Sequence, residues 1–154
     1  LGEPRAGTGL DARDTGFVCG SVLALRPDVV DRIGFLPEGY FLYFEDADLS
    51  FVARSAGLRT VVCPGAVAWH AGGASSADRP GVAAYYRTRN RLFFSREWNP
   101  RPILGRGHRG LYAFRALARS LVRYAFSLDR DALLPARAVL DYFRERDGKL
   151  NSKV

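Results

Sequence analysis

Four side chains near the middle of the chain have types and spacing that could do chemistry: Glu45, Asp46 and Asp48, spelled Glu-Asp-x-Asp, and His70. Acids at the start of a helix usually act as caps and as partners of the helix dipole. Here, however, they follow five aromatic or apolar residues, Tyr40 to Phe44. A carboxylate beside an apolar wall has its charged form disfavoured, which makes it a stronger base than a solvated one. His70 follows Trp69 at the end of a strand-like run and precedes Ala71-Gly72-Gly73. A lone histidine is more often structural, but strand ends leading into glycine loops are where α/β enzymes place ligands and substrate contacts. For a metal site it needs carboxylate partners from elsewhere. Cys19 and Cys63 lie far apart in apolar stretches without Cys-x-x-Cys spacing. They read as buried structural thiols, not as zinc ligands or a secreted disulfide scaffold.

The elements that must position these groups follow from pattern. The continuous apolar run 17–25 (FVCGSVLAL) predicts a strand covered on both faces. Pro27 opens a short helix that Gly34 stops. Residues 35–44 are aromatic with Pro37 and Gly39, and read as a loop. Residues 45–56 form a helix with Leu49, Val52, Ala53 and Ala56 on one apolar stripe, closed by Gly57. Residues 59–63 and 66–69 read as short strands, 71–81 as a loop and 82–94 as a helix. Pro and Gly in 99–110 predict a linker, and helices are expected over about 111–127 and 131–147.

The 154 residues suffice for one modest core, and 47% hydrophobic with 25% charged residues is ordinary globular composition. Residue 1 is Leu and Met is absent, which reads as a fragment. Residues 1–84 carry 7 Arg against 10 acids, a net −3, whereas 85–154 carry 16 basic residues against 6 acids, a net +10. This asymmetry indicates either a basic tail that meets phosphate or a solvated basic face. Arg115, Arg119 and Arg123 share one helical face, with Leu111, Phe114, Leu117, Leu121, Val122 and Phe126 supplying an apolar side. That composition suits an interfacial membrane helix, or equally a helix packed on the domain with its arginines in solvent. No apolar run reaches the roughly 18 residues needed to span a bilayer, no signal peptide is visible, and no nucleic-acid-reading motif accompanies the charge.

The run Gly39 to Leu49 (GYFLYFEDADL) resembles the F-x-Y-x-E-D-x-D-L signature of family 2 glycosyltransferases. Other pieces agree in order. Gly16 to Ser21 with Arg26, Ile33-Gly34-Phe35, Arg54-Ser-Ala-Gly57, Pro64 followed by Ala68-Trp69-His70, and Tyr86 to Arg91 resemble further motifs of that family. The resemblance covers residues 15–95 and is rhamnosyltransferase-like. It implies an α/β fold: a partial GT-A-like (nucleotide-diphospho-sugar transferase) sheet with helices, followed by an all-helical C-terminal tail. It also implies inverting transfer from a nucleotide-sugar to an acceptor hydroxyl. Asp46 matches the catalytic base, with Glu45 supporting or sharing the role. His70, 24 residues beyond Asp46, matches a position that completes a divalent metal site (Mn or Mg) in some members. Gly20, Ser21, Trp69, Arg89 and Asn90 match substrate-side positions. Trp69 would wall the sugar or acceptor pocket or belong to the core, and Arg89 with Asn90 would serve helix packing or phosphate contact.

No nucleotide-binding segment and no upstream Asp-x-Asp is found. The expected organisation is therefore an acceptor-side catalytic half over 1–98, a linker over 99–110 and a basic helical tail over 111–154. A chain so built is expected to be inactive alone or to need a partner. The expected partners are a nucleotide-sugar donor, a polysaccharide or lipid-linked acceptor and a peripheral membrane surface, with no nucleic acid. The expected location is cytoplasmic, on the inner face of the cytoplasmic membrane. The competing reading is a non-catalytic remnant that binds a partner or membrane through its Arg-rich helices.

Overall fold

A computed structural model describes residues 12–70, 79–98 and 102–150, with the side chains of 102–106 set aside. Their order is β1 (Arg13–Asp14), α1 (Pro27–Ile33), α2 (Glu45–Ser55), β2 (Val61–Val62), α3 (Pro80–Trp98), α4 (Pro102–Ser127), a 3-10 turn (Arg130–Leu133) and α5 (Leu134–Phe143). Among the described residues they form two compact units, 12–37 with 45–70 and 38–44 with 79–150.

In the first unit β1 and β2 pair antiparallel, Arg13 opposite Val62 and Asp14 opposite Val61. This two-stranded ribbon is the whole sheet among the described residues, so the architecture is helix-rich and the broader sheet expected from the sequence is not seen there. α1 carries Pro27 in its first turn, where its missing N–H costs nothing. It ends at Gly34, whose φ of 81° favours a residue without a Cβ. α2 buries Leu49 and Ala53 of the predicted stripe, together with Ser50. Arg32 donates to the Ala56 carbonyl at 2.6 Å, which satisfies one orphan acceptor at the end of the α2 segment.

The run 17–25 is irregular, not a strand. Two of its amides are spent on α2 side chains: Val18 N donates to Ser50 Oγ (3.3 Å) and Gly20 N to Asp46 Oδ2 (2.9 Å). Those donors are unavailable to a ladder, and Phe17 and Val22 are exposed. The same departure overturns the expectation of buried thiols. Cys19 is exposed, 3.2 Å from Ser21 Oγ, and Cys63 is only half-buried. Residues 66–69 form no strand either.

In the second unit α3, α4 and α5 share one core, built on Leu92, Ala113, Val139 and Tyr142. The tail helices are therefore continuous in packing with α3 and are not a separate body. A second cluster joins Tyr85, Tyr86 and Ala138 with Leu42 and Tyr43. α4 starts at Pro102, so the stretch expected as a linker is largely helical. Pro is compatible with a first helical turn. The cost of an interior glycine, about 1 kcal/mol, is offset further along, where Tyr112, Ala113, Ala116 and Leu117 pack into the core. The last helix is shorter than expected, since Asp129 caps a 3-10 turn through Asp131 N before α5 begins.

α3 approaches that turn closely at Gly81. A Cβ there would meet Asp131 Cβ at 2.9 Å and its carbonyl oxygen at 3.0 Å, neither of which can swing aside. Gly81→Ala is expected to destabilise the chain by about 1–3 kcal/mol through this overpacking, despite alanine's better helix propensity. A urea-denaturation midpoint at or above that of the wild type would contradict it.

Candidate active site

The site is built on the first turn of α2. The N-terminus of this helix presents Glu45, Asp46 and Asp48, where the dipole favours negative charge. Asp46 is fixed by two backbone donors, Gly20 N to Oδ2 at 2.9 Å and Ala47 N to Oδ1 at 2.8 Å. Each oxygen keeps a lone pair for a further partner. The turn at Gly20 lies so close that a Cβ would sit 3.2 Å from Asp46 Cβ and 3.4 Å from Oδ2. Glycine is required there by close approach. Ser50, one turn further and fully buried, ties the same loop to the helix: its hydroxyl donates to Asp46 O at 2.7 Å and accepts from Val18 N.

Glu45 differs from its neighbour. Its Oε2 is buried with no hydrogen-bond partner among the described residues. Desolvation, reinforced by the charge of Asp46 and opposed by its own backbone N–H, lifts its carboxyl above the usual range. A raised folded-state pKa means that stability is greatest below the unfolded-state value and falls as pH rises through the folded one. Glu45→Gln should therefore flatten this loss, leaving the variant more stable than the wild type at neutral pH and not in acid. Melting temperatures measured across pH 4 to 8 test this, and an unchanged pH dependence would refute it.

The remaining predicted residues fall in two groups. Ser21 lies exposed in the turn after Gly20. Trp69 is 80% exposed, so it is not core, and His70 is exposed beside it. Among the described residues no three His, Cys, Asp or Glu side chains come together as a metal site. Among those residues His70 is thus not grouped with two further ligands of these types, and no chemistry is routed through a metal here.

Arg89 and Asn90 lie in the second unit, on the buried face of α3. Asn90 Nδ2 donates to the carbonyls of Tyr40 (2.9 Å), Leu42 (2.8 Å) and Tyr43 (2.8 Å). Arg89 Nη2 donates to the Gly39 and Tyr40 carbonyls, Nη1 to Gly148, and Nε to Asn90 Oδ1. Its guanidinium also stacks over Tyr85 and Tyr86 at 5.5 and 5.2 Å. The pair thus holds the aromatic loop 39–43, whose Phe41 and Tyr43 adopt left-handed φ of 61° and 66°. Nearby, Tyr85 donates to the buried Asp141 at 2.8 Å, and burial pushes its phenol up to about 12. Sequence reasoning missed Ser50 and Asp141. Both are polar residues on otherwise apolar helical faces, and that was the available signal.

The first unit thus holds an acidic helix start whose Asp46 is clamped by a glycine turn, and the second holds an Arg-Asn brace on an aromatic loop. Residues 6–95 match the family model described as glycosyltransferase like family 2, and the chain belongs to that family. Comparison with curated proteins gives no match, nor does comparison with solved structures. Membership makes the chain a transferase at the level of the family, with a nucleotide-sugar donor and an acceptor as its substrates.

Proposed function

We propose that the chain provides the acceptor-side catalytic base of an inverting sugar transfer, on a GT-A-like scaffold, in cell-surface polysaccharide or glycolipid synthesis. Asp46 takes the proton of the acceptor hydroxyl as its oxygen attacks the anomeric carbon and the nucleoside diphosphate leaves. The observation that carries this reading is the double backbone clamp on Asp46, which orients a carboxylate while leaving a lone pair on each oxygen. Glu45 limits the charge at the helix start when it is protonated. The test is labelled-sugar transfer from a panel of nucleotide-sugars to membrane-fraction acceptors, in extracts of cells producing wild type or Asp46→Asn. Equal transfer would sink the assignment.

A second reading, favoured by α4, concerns a membrane surface. Leu111, Phe114, Leu121, Val122 and Phe126 are 48% to 89% exposed and, at 100° per residue, share the outer face of the helix. Arg115 falls within that face and Arg119 at its edge. No described helix is long and apolar enough to cross a bilayer. An apolar face edged with arginines instead suits a helix lying in the interface, on the inner face of the cytoplasmic membrane.

A further inference from the structure

Beside the outer face of α4, the second unit holds a groove of about 400 Å³ between α3, α4 and the start of α5. Arg91, Arg115, Arg119 and Arg123 line it together with His108 and Ser120, and no carboxylate does. The three α4 arginines take part in none of the ion pairs among the described residues, which use Arg26, Arg59, Arg96, Arg137 and Arg146. Arg91 is steadied over the Tyr112 ring at 4.7 Å. Four guanidinium groups facing one space repel each other unless an anion joins them. Ser120 supplies an independent sign. It is 2% exposed, and its hydroxyl is buried with no hydrogen-bond partner among the described residues. Buried polar atoms are rarely left so without a function or a ligand.

We propose that this groove binds a phosphate or diphosphate ester, with the arginine forks taking the non-bridging oxygens and Ser120 Oγ–H donating to one more. Guanidinium forks match phosphate geometry and stay charged at any physiological pH. The groove falls within the usual size of ligand sites and is far larger than a simple anion needs. Because the arginine row borders the exposed apolar face of α4, the ester is that of a lipid head group, an inference that rests on the interfacial reading above.

Two arms of one experiment separate the proposals. Inorganic pyrophosphate is titrated calorimetrically into the full chain, and the chain is sedimented with vesicles of phosphatidylcholine alone or mixed with phosphatidic acid. The variants are R115Q/R119Q/R123Q, the single changes R119Q and S120A, and a control, R13Q/R79Q/R144Q, that removes equal charge from exposed positions elsewhere. Wild type and control should bind pyrophosphate and sediment only with the phosphatidic acid vesicles. R119Q should weaken pyrophosphate binding roughly tenfold, and the triple groove variant by on the order of a hundredfold or more. The single changes keep the test decisive if the triple variant fails to fold. Pyrophosphate binding unchanged by R119Q and S120A, or lost equally in the control, would overturn the groove. Sedimentation of wild type and groove variant alike, without pyrophosphate binding, would also overturn the groove and leave the interfacial helix standing. Pyrophosphate binding without sedimentation would keep the phosphate site, make its ligand a soluble ester and overturn the membrane reading.

Discussion

Asn90→Asp is expected to destabilise the helical unit by about 3–5 kcal/mol, a large share of the roughly 5–15 kcal/mol that holds a domain folded. Asn90 is 0% exposed, and its Nδ2 faces three carbonyl oxygens within 2.9 Å. Aspartate would still accept from Arg89 Nε, but it sets an oxygen where the donor was. Three carbonyls lose the Asn90 donor, although Tyr40 O keeps Arg89 Nη2 and Leu42 N, and a further acceptor is pressed against them. The loop they belong to has little stability of its own. Phe41, Tyr43 and Phe44 have φ of 61°, 66° and 77°, a conformation that costs non-glycine residues on the order of 1 kcal/mol or more each. Asn90→Ala removes the donors without adding repulsion, so it should cost less. Lowering the pH returns one O–H donor to the aspartate variant, so its deficit should shrink in acid while that of the alanine variant does not. Urea denaturation of the three proteins at two pH values measures this. Equal midpoints for wild type and Asn90→Asp would show that the loop does not depend on the brace.

Asp46→Asn should lower sugar transfer by about 10²–10⁴-fold, the usual worth of a positioned general base, with a stability loss of only about 1 kcal/mol from the one backbone bond it gives up. The amide oxygen can still accept from Gly20 N at 2.9 Å, but the amide nitrogen placed at Oδ1 cannot accept from Ala47 N, and the proton acceptor is lost. Gly20→Ala probes the same geometry from the other side. Its Cβ would crowd Asp46 Cβ at 3.2 Å, so the carboxylate must move by a few tenths of an ångström. Transfer should fall by less than in Asp46→Asn, without the loss of basicity. Glu45→Gln completes the set: a loss as large as that of Asp46→Asn would move the base to Glu45, whose carboxyl burial lifts above its usual range.

Helices were the legible part of this chain. α1 and α2 lie where proline, acids, apolar stripe and terminal glycine place them, because each of these signals acts within one or two turns. The strand expected over 17–25 was not legible. An apolar run says nothing about where its amides find partners, and here Ser50 and Asp46 side chains, 32 and 26 residues away, take two of them. The stretch 99–110 misled for the opposite reason. Glycines weaken a helix without forbidding it, and long-range packing of α4 decided the outcome. For the site, motif order identified the family. Only geometry separated Asp46 on its clamp from Arg89 and Asn90, which spend their donors on carbonyls of the aromatic loop.

The aromatic loop has a consequence in time. Residues 38–44 belong with 79–150, although the chain departs at Phe44 to form α2 and β2 before it returns. Gly148 closes the arrangement by donating to Gly39 O at 2.7 Å and accepting from Arg89, and Leu150 N donates to Tyr86 Oη. During synthesis the loop therefore emerges long before α3, and longer still before Gly148. A segment that needs three left-handed residues cannot keep its shape while it waits. Contacts so distant in sequence are slow to close, so the signature aromatics depend on the far end of the described chain for their shape. A ribosome paused ahead of residue 148 would hold a protein whose α2 is complete and whose loop is still open.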